Sequence, residues 1–118
     1  MARTALTPVS KAAQTVAVVA GAADVGFVAG DDVNGNYWTP SEGDILLVQN
    51  TDVGAQTVTI DAAPDELGRD GAITAYSLAA DDIALFGPFG RDGWMQTDNT
   101  VHVDVSDATV KLAVFHLR

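Results

Sequence analysis

Val101-His102-Val103-Asp104-Val105 sets apolar and polar residues in strict alternation, and Gln56-Thr57-Val58-Thr59-Ile60 ends in the same rhythm. A strand turns successive side chains to opposite faces, so Val101, Val103 and Val105 share one face, as do Val58 and Ile60. Those faces belong in a core. Outward from the two segments the chain continues as short apolar runs bounded by Gly, Asp, Asn and Pro, the pattern of an all-β sandwich or barrel. The runs predict strands over 15–19, 25–29, 44–49, 56–61, 73–78, 83–86, 94–97, 101–105 and 109–117. Ile45-Leu46-Leu47-Val48 is apolar throughout, which predicts a central strand covered on both sides, or on one side by a neighbouring subunit. The last run is long enough to close a sheet. The Ala-rich segments 12–23 and 79–84 are broken by Gly or are too short to make a helix.

The expected fold is a single-domain antiparallel β-sandwich, a jelly-roll or a tulip-like barrel, of about eight strands over residues 14–118. Residues 1–13, with Thr, Ala, Ser and Pro8 and no sustained period, read as an extended N-terminal arm. At 118 residues the chain has room for one core, and 47 % apolar against 19 % charged residues is a globular balance. Thr15-Val16-Ala17-Val18-Val19 is β-branched and alternating, and reads as a strand of the mature chain where a secretory signal would be helical and Leu-rich.

Six Lys and Arg against sixteen Asp and Glu leave a net charge of −10. That charge repels phosphate backbones and anionic headgroups, so neither nucleic acid nor a membrane surface is an expected partner. With no cysteine the chain has neither disulfides nor a thiolate metal site.

Turn signals are clear. Gly68-Arg69-Asp70-Gly71 recurs as Gly90-Arg91-Asp92-Gly93, each before an apolar run, and Asp-Gly favours tight turns because both residues tolerate positive φ. The order is not that of an Arg-Gly-Asp adhesion triplet.

Chemistry is harder to find. Nucleophilic catalysis needs a Ser, Thr or Cys beside a base, and the two histidines, His102 and His116, lie in strand patterns among apolar neighbours. The acidic pairs Asp31-Asp32, Asp65-Glu66 and Asp81-Asp82 fall in predicted turns, as solvated groups and not as a glycosidase pair. Asp32-Val33-Asn34-Gly35-Asn36 begins like a calcium loop, but Gly43 stands where the bidentate Glu is required. No phosphate-cradling glycine motif is present. The chain therefore reads as a non-enzyme without cofactor or metal. Tyr37, Trp38 and Trp94 are candidate interface aromatics, with packing at the ends of a sandwich as the alternative.

Three segments carry a resemblance: Gly43-Asp44-Ile45-Leu46-Leu47-Val48-Gln49-Asn50 with Gln56-Thr57-Val58-Thr59-Ile60, then Ala79-Ala80-Asp81-Asp82-Ile83-Ala84-Leu85-Phe86-Gly87-Pro88-Phe89, then Val101 to Val105 with the closing strand. Their order over residues 37–117 resembles small structural proteins of tailed bacteriophages that decorate or cement the capsid. The resemblance implies a sandwich or tulip-like fold, a homotrimer, the major capsid protein as partner, and a place on the outside of the virion after synthesis in the host cytoplasm. It transfers no contact residues. Arg3, Leu6, Pro8 and Lys11 are capsid-contact candidates from their place in the arm and its local positive charge. On this reading, deleting residues 1–13 leaves the fold intact and abolishes particle binding. The alternatives are another phage virion component of the neck, tail or fibre, and a carbohydrate-binding β-sandwich.

Overall fold

Alternating side chains need two sheets to bury them, and the described residues supply both in ten short strands. The structure, a computed structural model, describes residues 2–10, 26–41, 43–63, 71–90 and 93–116. The strands are β1 (Thr4–Ala5), β2 (Val9–Ser10), β3 (Val28–Ala29), β4 (Asn36–Trp38), β5 (Asp44–Asn50), β6 (Gln56–Ile60), β7 (Ile73–Leu78), β8 (Ile83–Phe89), β9 (Val101–Val105) and β10 (Val110–His116). Four antiparallel pairs are nested, β3 with β10, β4 with β9, β5 with β8 and β6 with β7. Two further pairings, β5 with β10 and β6 with β9, join them side to side. One sheet runs β1-β4-β9-β6-β7; the other runs β2-β10-β5-β8, with β3 also on β10. That winding is consistent with a jelly roll.

The core lies between the sheets. Trp38, Val58, Ile60, Val101 and Val103 come from the first sheet and Leu46, Val48, Val110, Leu112 and Val114 from the second, all fully or nearly fully buried. The expected faces of β6 and β9 are thus the inner faces. Trp38 and Trp94 each meet Phe89 edge to face, at centroid distances of 5.5 and 4.8 Å. Such contacts are worth about 0.5–1.5 kcal/mol beyond burial. Asn50, buried at the end of β5, donates to the Gly54, Leu78 and Ala79 carbonyls and so ties the second sheet to the end of β7.

Several expectations are corrected. Residues 94–97 do not form a strand: Gln96 and Asn99 close a turn through Asn99 N to Gln96 O at 2.9 Å, and Asp98 accepts from the Thr100 amide and hydroxyl. β4 falls where a loop was expected, its three residues being too few to register as alternation. β5 is central, but its outer face, carrying Ile45, Leu47 and Gln49, is partly exposed. The expected strand over 15–19, the glycine turn at 68–70 and the Arg91-Asp92 turn lie outside the described residues.

The N-terminal segment differs most. It is extended, yet it is bonded into both sheets: β1 runs parallel to β4 and β2 parallel to β10. The Leu6 amide donates to the Tyr37 carbonyl at 2.7 Å, and the Leu6 side chain enters the core with 5 % exposure. Residues 2–10 thus bridge one open side of the sandwich, where a free arm was expected. The cause is local: an apolar Leu6 between two short pairing segments gains more from the open core edge than from water. On the opposite side Tyr76 of β7 meets Phe86 of β8 edge to face at 5.1 Å. Leu6→Ala is expected to destabilise the fold by about 2–4 kcal/mol, read as a lower urea midpoint at unchanged slope. A loss below about 1 kcal/mol would remove Leu6 from the core.

Candidate functional site

The outer face of the first sheet carries a polar cluster. Tyr37 of β4 and His102 of β9 are cross-strand neighbours, and Ala5 of β1 lies beside Tyr37. Arg3 reaches over this face to Asp104 Oδ1 at 2.7 Å and towards Asp61 at 3.9 Å, and it also donates to the Asn36 and Val103 carbonyls. Gly35 makes room for it: its φ is +81°, and a Cβ there would collide with the Arg3 guanidinium and the Asp104 carboxylate. His102 Nε2 meets Asp98 Oδ2 at 3.0 Å. The Thr100 hydroxyl foremost, and then His102, hold the Asp98 carboxyl below its ordinary range. Ala2, Arg3, Tyr37, Asp98 and His102 line a shallow groove of about 410 Å³. A phenol, an imidazole, a guanidinium and a carboxylate on one rigid face can hydrogen-bond a polyol and offer it an aromatic edge.

A second cluster brings together a Ser, a His and an Asp far apart in the chain. Asp44 is fully buried at the start of β5. Its Oδ2 accepts the Trp38 indole N–H at 2.9 Å and the Ser41 amide at 2.8 Å. Its Oδ1 takes the Ser41 hydroxyl at 2.6 Å and His116 Nδ1 at 2.6 Å. Burial pushes the Asp44 carboxyl up, but the hydrogen bonds from Ser41, His116 and Trp38 outweigh it and hold it below its ordinary range. A carboxylate only accepts, so His116 Nδ1 carries a proton there. The Ser41 hydroxyl also donates to the carboxylate, so no lone pair of the imidazole faces its proton as a hydrolytic triad requires. The cluster joins β4, Ser41, β5 and β10 through one buried carboxylate.

The loop that begins like a calcium site is organised by Asp31 and not by Asp32. Asp31 Oδ1 accepts the Val33 and Asn34 amides, and Oδ2 accepts the Thr4 hydroxyl at 2.6 Å. The Asn34 amide foremost, and then Thr4, draw the Asp31 carboxyl down. Asn36 Oδ1 accepts the Asp31 amide, and its Nδ2 donates to the Thr4 carbonyl. These are the bonds of an Asx turn fastened to β1, and no group of three or more potential metal-ligating side chains gathers among the described residues.

The candidate residues scatter accordingly. Leu6 is a core residue and is withdrawn as a capsid contact. Arg3 is engaged on the first sheet, Pro8 is half-buried, and Lys11 lies outside the described residues. Trp38 is buried completely and Trp94 is half-buried against Phe89, so neither stands free as an interface aromatic; Tyr37 alone of the three lines the groove. Ser41, Asp44 and Asp98 were not foreseen. A signal existed for Asp44, whose parity matches Leu46 and Val48: a charged residue at an inward position of an apolar strand requires buried partners. No helix among the described residues is long and apolar enough to cross a membrane. Comparison with protein-family models, with curated proteins and with solved structures finds no match.

Because the folded state lowers the Asp44 pKa, the carboxylate contributes stability above the ordinary aspartate range and loses it as pH falls below about 4. Asp44→Asn is expected to be less stable at neutral pH and to lose less on acidification than the parent. Parallel stability curves for the two proteins, followed by chemical denaturation from neutral pH downwards, would remove Asp44 as a source of acid sensitivity.

Proposed function

We propose that this chain is a non-enzymatic virion structural protein of the tailed-bacteriophage decoration type, which binds the outside of a capsid and stabilises it by bridging major capsid protein subunits. The observation that carries the reading is the position of the segments bearing the resemblance: they fall on β5, β6, β8, β9 and β10, which hold most of the core. The likeness thus rests on the framework of the fold and not on its loops. Two further facts support it. The net charge of −10 suits a protein that must stay clear of packaged nucleic acid. The Ser41, Asp44 and His116 side chains, the nearest approach to a hydrolytic set, are tied to one another as structure.

The reading assigns the N-terminal segment a new part. Residues 2–10 belong to the domain, so contact with a shell would come from surfaces of a rigid body, which loses little conformational freedom on docking.

A second reading has one observation in its favour. The groove at Arg3, Tyr37, Asp98 and His102 has the composition of a small carbohydrate subsite, and jelly rolls also host lectins.

Co-sedimentation with phage capsids stripped of decoration separates the two. Saturable binding at a fixed number of copies per capsomer is expected, and Tyr37→Ala should leave it unchanged. Failure to pellet with capsids, together with a glycan-array signal lost in Tyr37→Ala, would replace the decoration reading with the carbohydrate one.

A further inference from the structure

Among the described residues the outer face of the second sheet is open mainly along β8; Ile45, Leu47 and Phe115 are half-buried and Ala113 is buried. Cross-strand pairing sets Leu47 between Ala113 and Leu85, Ile45 beside Phe115, and Gln49 between Lys111 and Ile83. Ile83, which opens β8, and Leu85 within it are 58 % and 65 % exposed. Three strands spaced about 4.8 Å apart, each rising about 3.3 Å per residue over seven residues, give a plateau on the order of 300 Å². That is about the size of the largest apolar patch on a typical monomer, which is often functional.

We propose that this face is covered by the same face of a second copy, in a two-fold dimer. Charge carries the choice of occupant. The row Lys111, Gln49, Ile83 is basic at the β10 side and ends at the β8 side against the exposed Asp81-Asp82 turn. Lys111 has no ion-pair partner among the described residues, in a chain with sixteen acids. A two-fold axis along β5 lays Lys111 of each copy over Ile83 of the other, within reach of Asp82, and lays Leu47 and Leu85 over their apolar counterparts. Two sheets packed face to face in this way stand about 10 Å apart. A single flat face that complements itself closes as a two-fold; a three-fold ring needs two different patches. The plateau is smaller than the roughly 800 Å² per partner of a standard interface, so the dimer is weak and depends on concentration.

The inference stands on this face alone and needs no capsid. Sedimentation equilibrium over a wide range of concentration tests it on the intact chain. The parent is expected to pass from monomer to dimer. Leu85→Asp is expected to weaken the dimer at least tenfold while keeping the parent's circular dichroism and thermal midpoint. Lys111→Glu and Asp82→Lys should each weaken it, and the double variant should restore it. A monomer at every concentration, a trimer, a dimer indifferent to Leu85→Asp, or two charge reversals without mutual rescue would each overturn the proposal. If Leu85→Asp unfolds the chain, the face is covered from within and the proposal falls as well.

Discussion

The period-two alternation of β5 is the constraint on which the rest of the molecule depends. Its inward positions are Asp44, Leu46, Val48 and Asn50, all fully buried, and its outward positions are Ile45, Leu47 and Gln49. Leu46 and Val48 lie in one buried cluster with Val58, Ile60, Val101 and Val103 of β6 and β9. The two polar ends have no water, so each must find protein partners. Asp44 finds Trp38, Ser41 and His116; Asn50 finds three carbonyls at the ends of the loops beside it. A one-residue slip of register would bury Gln49 and expose Leu46 and Val48, so the polar latches and the apolar centre enforce the same pairing.

That arrangement separates the faces by character. The first sheet shows water a polar face of Arg3, Asp104, Thr59, His102 and Tyr37, on which Arg3 pairs with Asp104 and His102 is hydrogen-bonded to Asp98. The second shows an apolar one. A partly exposed salt bridge such as Arg3 with Asp104 contributes only about 0.5–1 kcal/mol, but it fastens the residue before β1 to β9, across the β4 strand on which β1 pairs. Electrostatics acts here on position more than on stability. On that outer face Ile83 and Leu85 are exposed, while Ile45, Leu47 and Phe115 are half-buried.

The chain's reactive side chains show why composition alone misleads about chemistry. A Ser, a His and an Asp within 3 Å of one another invite a catalytic reading, yet both Ser41 and His116 donate to Asp44. Both protons point to the carboxylate, because an ionised carboxylate has nothing to donate. The Asp31 turn repeats the lesson: its oxygens face backbone amides, and an Asx turn and the opening of a cation loop share a spelling.

The sequence by itself determined the class of fold and most of its strands. Local alternation in 56–60 and 101–105, and the turn residues between runs, are properties of neighbours along the chain, and local patterns survive without knowledge of the fold. It also determined that β5 is central. Only the tertiary structure decided what distant residues do to one another. Asp44 and His116 lie 72 positions apart, and Arg3 and Asp104 101. No periodicity encodes such pairings. β1, β2 and β4 are too short to alternate visibly, so their existence depends on the neighbours that receive them. Leu6 is the sharpest case: a lone leucine among Thr, Ala and Pro reads as part of an arm, and only the open edge between β4 and β10 makes it core.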